Sequence, residues 1–325
     1  MAELSYRDAV HRALAQEMAR DERVVFLGED VARAGGVFKA TSGLLEQFGP
    51  DRVIDTPISE QAILGTLMGA AMTGLRPVAE IMYSDFFGVC WDIVANQMAK
   101  TRYMTNGQVT MPVVIRSGNG GGLRFGAQHS QSIENWAMAV PGLKVALPST
   151  PHDLVGLFAA AVRDDDPVIF LESKSLYATK GEVADGEIVE PLGRARIVRD
   201  GADATIVTIG AMVHRATEAA NRLAREFGID CTVIDLRTLV PLDMSIVLAS
   251  VTATSRLFTV EENPQLCGWG AEVVSIVTDE GFYTLDGPPV RITTPHIPLP
   301  AAAELEDQVI PSVDRIVEVI MKRMD

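Results

Sequence analysis

The chain has 325 residues, of which 47% are hydrophobic and 22% charged, and its formal net charge is −15. Such a chain is long enough for two globular domains with large aliphatic cores. The negative charge argues against a nucleic-acid-binding or anionic-membrane-binding protein, because both partners are themselves negatively charged. Solubility alone, or attraction to a basic protein partner, would account for it.

The three cysteines, Cys90, Cys231 and Cys267, are far apart and form no C-x-x-C pair. This spacing argues against a disulfide framework or a zinc site and favours a reducing compartment. The N-terminal segment lacks the long apolar core of a signal peptide, and the most apolar stretch, residues 62–75, is too short to span a bilayer. We therefore expect a soluble, cytoplasmic protein that does not enter the membrane.

The predicted elements alternate between strand and helix in chain order, which is typical of parallel α/β architecture. The strands of the first half are short and rich in Val and Ile, as expected of strands covered on both faces. They are predicted at residues 24–28, 52–55, 77–82, 112–116, 144–147 and 167–172, with helices between them at residues 59–74, 85–102 and 151–163.

Residues 181–191 are polar, acidic and contain glycine, and they indicate a linker or an extended crossing segment. A second α/β series follows, with strands predicted at residues 204–209, 230–235, 256–260 and 290–293 and helices at residues 213–227, 270–280 and 313–324. The sequence therefore predicts the α/β class, with two doubly wound parallel-sheet domains. We place them at residues 1–185 and 200–325, joined by a linker at residues 186–199.

Residues 55–60, Asp-Thr-Pro-Ile-Ser-Glu, lie where a predicted strand ends and a helix begins. Open parallel sheets bind ligands at the carboxyl ends of their strands, so this is a favourable location for a site. An ordinary helix start, with Ser59 as the N-cap and Glu60 facing the positive end of the helix dipole, would also explain the motif. The following helix is apolar on nearly all sides and is expected to be buried. Because a carboxylate at the end of a buried helix is costly unless it is paired, Glu60 is a candidate functional residue.

An ordered set of short motifs resembles the beta subunits of the thiamine-diphosphate-dependent first components of 2-oxo acid dehydrogenases. The set comprises TPISE at 56–60, GAAMTGLRPVAEIM at 69–82, GED at 28–30, GGVF at 35–38, AQHSQS at 127–132, PGLKV at 141–145 and RDDDPV at 163–168. In the second half it continues with residues 205–210, 235–241 and 260–262. The resemblance covers essentially the whole chain. It implies a transketolase-like pyrimidine-binding domain followed by a transketolase C-terminal-like domain.

The resemblance implies three residues for the pyrimidine end of thiamine diphosphate. Glu60 aligns with the glutamate that hydrogen-bonds the aminopyrimidine and promotes its tautomerisation, so that the thiazolium carbon can lose its proton. Partial burial would raise the pKa of such a carboxyl group toward the working range. Phe86 aligns with an aromatic residue that packs against the aminopyrimidine, although a core role would suit an isolated Phe. Glu29 would support Glu60 or the pyrimidine, and a plain strand-end turn is the alternative.

His129 lies in a polar, glycine-flanked loop, residues 126–132, where a histidine is commonly a solvated bystander. The resemblance implies a second catalytic residue here, near the mouth of the active site, which helps acyl transfer to a lipoyl arm or stabilises a transition state. The preceding residues 117–122, Ser-Gly-Asn-Gly-Gly-Gly, fit neither G-x-G-x-x-G nor the P-loop spacing, and we interpret them as a flexible active-site loop.

The acidic run Asp164, Asp165 and Asp166 is by itself typical of a solvated helix end. Related beta subunits bind a structural potassium ion at this corner, largely through main-chain carbonyl oxygens, and hard oxygen ligands suit such an ion. The positions that correspond to its ligands are Val113, Ala161, Val162, Asp164 and Asp166.

No Gly-Asp-Gly occurs in the chain, whereas the family holds the diphosphate and magnesium of its cofactor with a Gly-Asp-Gly motif and a later Asn-containing element. The chain is therefore expected to bind only the pyrimidine end of thiamine diphosphate. A separate alpha subunit would supply the diphosphate and magnesium site, in an α2β2 heterotetramer with active sites at the α–β interfaces.

The resemblance implies that the αβ pair decarboxylates a 2-oxo acid, or cleaves acetoin, and passes the acyl group to the lipoyl domain of an acyltransferase core. The second domain would dimerise and dock that core. Residues 126–136, GAQHSQSIENW, are somewhat closer to acetoin-type subunits, but the substrate stays open. Two alternatives also stay open: half of a split transketolase or deoxyxylulose-phosphate synthase-like enzyme, and a catalytically inactive scaffold subunit.

Overall fold

A computed structural model describes residues 1–324, and the chain separates into two compact units. The first unit contains residues 1–119 and 136–192, and the second contains residues 120–135 together with the chain from Gly193 onward. Segment 120–135 therefore packs with the second unit, although in sequence it lies within the first predicted domain.

The first unit is built on a parallel sheet. Its strands are, in chain order, β1 (Ala2–Ser5), β2 (Val24–Gly28), β3 (Val53–Asp55), β4 (Arg76–Tyr83), β5 (Val114–Asn119), β6 (Lys144–Ala146), β7 (Val168–Ser173) and β8 (Lys180–Val183). Strands β2 to β7 pair in the order β6-β7-β5-β4-β2-β3, and every pair is parallel. Strands β2, β5 and β7 are buried at every residue, as helices on both faces require. The predicted strands of this half and their parallel α/β class are confirmed.

Strand β8 lies within the predicted first domain and overlaps the start of the polar segment that is expected to be a linker or an extended crossing segment. It pairs with β1 in a separate antiparallel ladder. The partner strand lies at the opposite end of the unit's sequence, so no local pattern reveals the pairing.

The helices of the first unit are α1 (Tyr6–Arg20), α2 (Leu44–Phe48), α3 (Glu60–Met72), α4 (Phe87–Asp92), α5 (Ala99–Met104), α6 (Glu134–Met138) and α7 (Pro151–Arg163). Helix α6 begins in segment 120–135, and its residues from Trp136 onward belong to the first unit. Helix α7 has the bounds that the sequence predicts. Thr150 caps it by accepting a hydrogen bond from the N–H of Asp153 at 3.1 Å, and Pro151 stands in its first turn, where a missing N–H costs nothing.

The predicted helix at residues 85–102 is interrupted. A 3-10 turn, Ser84–Phe86, leads into α4, and a π-helix, Ile93–Met98, separates α4 from α5. Such π-segments within helices are rare and are frequent at functional sites. The 3-10 turn places Phe86 directly after β4, at the start of this helical stretch.

Helix α3 differs from the expectation that it is buried. Four of its residues face the core: Ile63, Leu64, Leu67 and Ala71. The opposite face is exposed and consists of Gln61, Ala62, Gly65, Thr66, Gly69 and Met72. The prediction of full burial is wrong for this chain alone, because the helix is apolar on nearly all sides while the unit covers only one of them.

The second unit has a second, five-stranded sheet. The strands of the unit are β9 (Arg196–Arg199), β10 (Ala204–Thr208), β11 (Cys231–Asp235), β12 (Thr238–Val240), β13 (Leu257–Pro264) and β14 (Val290–Thr294). The sheet order is β14-β13-β10-β11-β9, and its pairs are parallel except at β9. The predicted parallel-sheet class is confirmed for this domain, with the addition of one antiparallel edge strand, β9, which the sequence did not predict. Mixed sheets commonly carry such a strand at their edge.

The helices of the second unit are α8 (Met212–Phe227), α9 (Met244–Thr254), α10 (Gly270–Glu280), α11 (Ala303–Val309) and α12 (Val313–Met324). Helices α10 and α12 have their predicted bounds. Helix α8 ends at Phe227 and is followed by Gly228, whose φ of 69° suits a glycine C-cap. Helix α9 escapes prediction because apolar or small residues occupy most of its circumference. Among residues 1–324, every helix is too short or too polar to cross a membrane.

Candidate active site

The carboxyl edge of the first unit's sheet gathers the loops that carry three candidate residues. Glu29 follows β2, Glu60 follows β3 and Phe86 lies in the turn after β4. Strand β2 lies between β3 and β4, and all three are parallel, so their loops leave the sheet side by side. The topology therefore brings the three residues to one edge, where ligand sites in such sheets lie.

Glu60 is the first residue of α3 and is half-buried. Ser59 precedes it as the N-cap residue, but its side chain makes no capping hydrogen bond. The Ser59 side chain therefore does not cap α3, whereas Glu60 does stand in the first turn, as an ordinary helix start would also place it.

Asp55, the last residue of β3, holds the loop that follows β2. Its carboxylate accepts hydrogen bonds from the main-chain N–H groups of Ala32, at 2.7 Å, and Arg33, at 3.2 Å. No motif in the sequence gives Asp55 a role of its own. The structure shows that it ties the loop carrying Glu29 to the strand that leads to Glu60.

Gly28 brings that loop close to β4. A Cβ atom at Gly28 would lie 2.9 Å from Val31 Cγ1 and 3.1 Å from Glu80 Cβ, so a larger residue would require the neighbouring strand to shift. Gly28 and Glu80 are also register partners across β2 and β4. Glu29 therefore leaves the sheet next to the buried carboxyl group of Glu80.

Glu29 has a perturbed ionisation. Burial raises the pKa of Glu29 above its ordinary value, and the nearby charges of Glu60, Asp30 and Glu80 raise it further. An effect of this kind requires the carboxylates to be close together in a partly desolvated place.

Phe86 belongs to an aromatic cluster, which we define as Phe38, Tyr83, Phe86 and Tyr177. The rings of Tyr83 and Phe86 meet edge to face with centroids 5.5 Å apart, and Phe38 contacts Tyr83 and Tyr177 at 6.2 and 4.8 Å. Such contacts fix ring orientation. Phe86 is half-buried, so the cluster supports one side of its ring.

Cys90 lies one helical turn after Phe86, and sequence reasoning missed its relation to the site. Its Sγ lies 3.5 Å from the main-chain oxygen of Phe86. Burial, together with the charge of Glu60, raises the pKa of Cys90 to about 12. The thiol therefore stays protonated at neutral pH and is a neutral neighbour of Glu60.

A buried charge network, which we call the Arg116 cluster, lies behind this edge and consists of Glu80, Arg116, Glu172 and Tyr177. Arg116 binds both carboxylate oxygens of Glu172, at 2.8 and 2.7 Å, and its Nη1 donates to Glu80. Tyr177 Oη donates to Glu172 at 2.8 Å. Arg116 has a side-chain exposure of 3%, so these charges are almost fully removed from water.

The glycine-rich segment after β5 is held by acidic side chains of the second unit. The N–H of Gly121 donates to Glu262, and the N–H of Gly122 donates to Glu306 at 3.1 Å. Arg124 in turn pairs with Glu306. The glycines thus bind carboxylates of the protein itself, and the segment has defined partners where the sequence suggested a flexible loop.

His129 is half-buried and lies on this same segment, in the second unit. Its main-chain N–H lies 3.4 Å from the oxygen of Gly126. Asn263 holds the following stretch through a 2.9 Å hydrogen bond from its side-chain nitrogen to the oxygen of Ser132. Glu29, Glu60 and Phe86 belong to the first unit, so the structure groups three of the four catalytic or cofactor-binding candidates within one unit.

The corner expected to bind potassium is held together by basic side chains. Arg76 Nη1 donates to the main-chain oxygens of Val162 and Asp164, both at 3.0 Å. Lys144 Nζ pairs with the carboxylate of Asp164 at 2.6 Å and lies 3.5 Å from that of Asp166. These carboxylates are therefore paired at a partly exposed helix end, where Asp165 keeps a side-chain exposure of 51%.

The remaining main-chain oxygens of this corner also accept hydrogen bonds. Val113 O accepts from Val168 at 2.9 Å, and Ala161 O accepts from Asp164 at 3.3 Å. A carbonyl oxygen has two lone pairs, so these bonds leave capacity for a cation. Within residues 1–324, no group of three or more His, Cys, Asp or Glu side chains is arranged to hold a metal ion, so a cation here would depend on main-chain oxygens.

Two family models match the two halves of the chain. The transketolase pyrimidine binding domain matches residues 2–180, and the transketolase C-terminal domain matches residues 193–316. A solved structure described as a split gene transketolase, inactive beta4 tetramer, aligns with a TM-score of 0.80 and covers 99% of this chain and 98% of its own. Its identity of 23% makes it a comparison of fold alone.

Relatives of nearly the same length are more similar in sequence. The beta subunit of an acetoin:2,6-dichlorophenolindophenol oxidoreductase from Cupriavidus necator is 47% identical, over 99% of this chain and 97% of its own. A 2-oxoisovalerate dehydrogenase subunit beta from Bacillus subtilis is 43% identical, with 97% of both chains covered. A pyruvate dehydrogenase E1 component subunit beta from Rickettsia felis is 44% identical, with 98% of both covered. With both transketolase domains matched as well, this chain belongs to the family of beta subunits of the first components of pyruvate, branched-chain 2-oxo acid and acetoin dehydrogenases.

Proposed function

We propose that this chain is the beta subunit of a thiamine-diphosphate-dependent dehydrogenase that acts on a 2-oxo acid or on acetoin, and that Glu60 is its cofactor-activating carboxyl group. The observation that carries the proposal is the convergence of Glu29, Glu60 and Phe86 at the carboxyl edge of one parallel sheet. Because the chain belongs to this family, we interpret these three residues as the part of the site that binds the pyrimidine end of thiamine diphosphate.

The residues of this edge fit the pyrimidine end of the cofactor. Phe86 rests on Tyr83 and is half-buried, which leaves part of its ring for packing against an aromatic heterocycle. Glu60 is half-buried at the start of α3 and can exchange a proton with a ring nitrogen placed beside it. Thiamine diphosphate, when bound, supplies a carbon nucleophile that no protein side chain offers.

Glu29 acts behind Glu60 in this proposal. Because burial and neighbouring charges raise its pKa, Glu29 keeps a proton at a higher pH than an ordinary glutamate does. A neutral Glu29 can donate a hydrogen bond toward a carboxylate or a ring nitrogen, and it avoids repulsion with Glu60.

An alpha subunit is the expected partner. The relatives are named as beta subunits, and this chain lacks the Gly-Asp-Gly motif that would hold the diphosphate and magnesium. The exposed face of α3 begins directly after Glu60, and Ile58 before it has an exposure of 82%. A partner that covers this apolar face would also close the cofactor site from solvent. We therefore propose an α2β2 assembly, with a lipoyl-bearing acyltransferase core as acceptor of the acyl group.

The proposal also gives a role to His129 and to the corner expected to bind potassium. His129 would assist acyl transfer to the lipoyl arm, since an imidazole can donate or accept a proton near neutral pH. The main-chain oxygens of Val113, Ala161, Val162, Asp164 and Asp166 would hold a potassium ion. A cytoplasmic location would keep the three cysteines reduced.

The test is co-expression with candidate alpha subunits, followed by an assay with thiamine diphosphate and magnesium. Reduction of an artificial dye acceptor would be compared across pyruvate, branched-chain 2-oxo acids and acetoin, with the chain alone as the control. We expect turnover with at least one of these substrates, and only when the alpha subunit is present. Stable complexes without turnover on any of them, or transfer of ketol units to an aldose acceptor instead, would overturn the proposal.

A further inference from the structure

We propose that Lys174 is a positioning residue for the cofactor: its buried ammonium group holds the ring of Tyr83, and Tyr83 holds Phe86 in the orientation that packs against the aminopyrimidine. This inference rests on the proposed function, because it takes Phe86 as part of the cofactor site. No motif in the sequence gives Lys174 a role, and neither does the family resemblance.

Lys174 lies at the same edge of the sheet as the candidate site. It comes directly after β7 and is only 1% exposed. Strand β5 lies between β7 and β4, and Phe86 lies in the turn that follows β4. Because these strands are parallel, Lys174 and Phe86 leave the sheet at its carboxyl edge, with one strand between them.

A glycine lets the lysine side chain cross that strand. Gly118 on β5 is the register partner of Glu172 on β7 and of Tyr83 on β4. A Cβ atom at Gly118 would lie 3.0 Å from Lys174 Cγ and 3.2 Å from Lys174 Cδ. The apolar stem of Lys174 therefore occupies the space that a larger residue at position 118 would need, and it extends from β7 toward Tyr83.

The ammonium group ends over an aromatic ring. Lys174 Nζ lies over the ring of Tyr83, 5.4 Å from its centroid, within the roughly 6 Å at which a cation is attracted to the face of a ring. A buried ammonium group is costly without compensating contacts, and the electron-rich ring face is one such contact. Because Lys174 is removed from water, this attraction restrains Tyr83 more strongly than the same contact would at the surface.

Tyr83 transmits this restraint to Phe86. The two rings meet edge to face, with centroids 5.5 Å apart and an angle of 78° between their planes. Such a contact depends on the orientation of both rings, so a Tyr83 ring that is free to turn would no longer support Phe86 on this side. Lys174 thus acts on the cofactor site without touching the cofactor.

The end of β7 also holds the other tyrosine of the aromatic cluster. Glu172, two residues before Lys174, accepts a hydrogen bond from Tyr177 Oη at 2.8 Å. The Tyr177 ring contacts Phe38 at 4.8 Å, and Phe38 contacts Tyr83 at 6.2 Å. Two buried charged residues of one strand end therefore fix both tyrosines, and the cluster is held from one side of the sheet edge.

The test measures the affinity of the αβ complex for thiamine diphosphate in the presence of magnesium, by calorimetry. Lys174→Met keeps an unbranched apolar side chain but removes the charge. We expect the Kd to rise by about 3- to 30-fold, because the contact can contribute no more to binding than a buried cation–π contact contributes to holding the ring. The kcat at saturating cofactor should fall by less than the Kd rises.

Two further lysine variants serve as controls. Lys174→Arg keeps a cation for the ring face and should restore most of the affinity. Lys180→Met removes a lysine of the same unit whose side-chain exposure is 67%, and it should leave the Kd unchanged. An equal loss of affinity in Lys174→Arg and Lys174→Met would overturn the role of the charge.

A double variant tests whether Lys174 acts through Tyr83. Tyr83→Leu should weaken binding by itself, and Lys174→Met should then add little further loss, because the ring that it holds is gone. Additive losses would overturn the inference. If Lys174→Met does not assemble, Tyr83→Leu carries the test: a raised Kd supports the inference, and a wild-type Kd overturns it.

The outcomes separate the two proposals. A wild-type αβ complex that does not bind thiamine diphosphate overturns the proposed function and this inference with it. A wild-type complex that binds the cofactor and turns over, combined with a wild-type Kd in Lys174→Met, overturns the role of Lys174 alone.

Discussion

Carboxylates lie beside glycines in two regions of the molecule, and their negative charge is balanced by different groups in the two regions. At the carboxyl edge of the first unit, the carboxylates behind Glu29 share one guanidinium, that of Arg116. In the glycine-rich segment of the second unit, Glu262 and Glu306 accept hydrogen bonds from main-chain N–H groups, and Glu306 has an ion-pair partner as well.

This difference distinguishes carboxyl groups that can take part in proton transfer from carboxylates that hold a loop in place. Carboxyl groups that are buried with incomplete compensation have raised pKa values and can exchange protons near neutral pH. Carboxylates that accept hydrogen bonds from main-chain N–H groups can hold a loop in place. In the proposed function the same residue type serves chemistry at Glu29 and Glu60, and it holds a loop at Glu262 and Glu306.

The largest effect is expected from Glu60→Gln. Glutamine can hydrogen-bond the cofactor, but it cannot exchange a proton with it, so turnover of the αβ complex should fall by about 10²- to 10⁴-fold. Dye reduction at saturating substrate measures the loss, and gel filtration shows whether the complex still assembles.

The matched control for that prediction is Glu262→Gln. Glutamine retains a carbonyl oxygen that can accept from the N–H of Gly121, so the segment should keep its partner and the complex most of its turnover. Equal losses in the two variants would contradict the distinction between reactive and structural carboxylates.

The next largest effect is expected from Arg116→Met. Loss of the guanidinium leaves Glu80 and Glu172 buried without a cationic partner, which costs about 3–5 kcal/mol of the free energy of unfolding near neutral pH. Arg124→Met is the comparison in the second unit. Arg124 has a side-chain exposure of 35%, and Glu306 keeps its hydrogen bond from the N–H of Gly122 when Arg124 is removed. The loss of unfolding free energy in urea should therefore be smaller for Arg124→Met.

The pH dependence of Arg116→Met has a defined sign. The pKa of Glu80 is already raised in the folded protein, and removing Arg116 raises it further. A carboxyl group with a raised folded pKa contributes stability that is present below its unfolded pKa and is lost as pH rises through its folded pKa. The destabilisation of Arg116→Met should therefore grow from acidic to neutral pH. A loss that is the same across this range would mean that packing, not charge, determines the effect.

Much of the carboxyl edge could be predicted from sequence because its information is local. Short Val- and Ile-rich strands and the turn residues that follow them identify β2, β3 and β4, and parallel order then places Glu29, Glu60 and Phe86 together. The residues of the Arg116 cluster could also be recognised from the sequence near each of them. Glu80, Arg116 and Glu172 each interrupt an otherwise apolar strand, and a charged residue in a buried strand demands a partner.

The partners of the glycine-rich segment could not be predicted, because they are remote in sequence. Gly121 and Gly122 meet Glu262 and Glu306 across separations of 141 and 184 residues, and neither the glycines nor the glutamates carry a pattern that pairs them. The exposed face of α3 has a different cause. A helix that is apolar all round predicts burial, but its sequence does not say whether the cover comes from the same chain.

A smaller effect is expected from His129→Gln, and it should depend on the acceptor. In the proposed role, His129 assists transfer of the acyl group to a lipoyl domain, so that step should slow by about 10²-fold, the low end for a general acid or base. Dye reduction, which bypasses the lipoyl arm, should change much less. Equal losses with both acceptors would place His129 in an earlier step, and no loss with either would make it a bystander.

The smallest effect is expected at the potassium corner. Arg76 and Lys144 already pair with the acidic run, so a bound cation adds only its interactions with main-chain oxygens. Replacing KCl with choline chloride at equal ionic strength should therefore lower the Tm of the complex by about 1–2 °C, because roughly 1 kcal/mol shifts Tm by about 2–4 °C in domains of 150–250 residues and by less in a larger protein. Ion size supplies the control, since NaCl should restore less of the Tm than KCl if the main-chain oxygens are spaced for the larger ion. Identical Tm values in all three salts would mean that the arginine and lysine side chains have taken over the role of the cation.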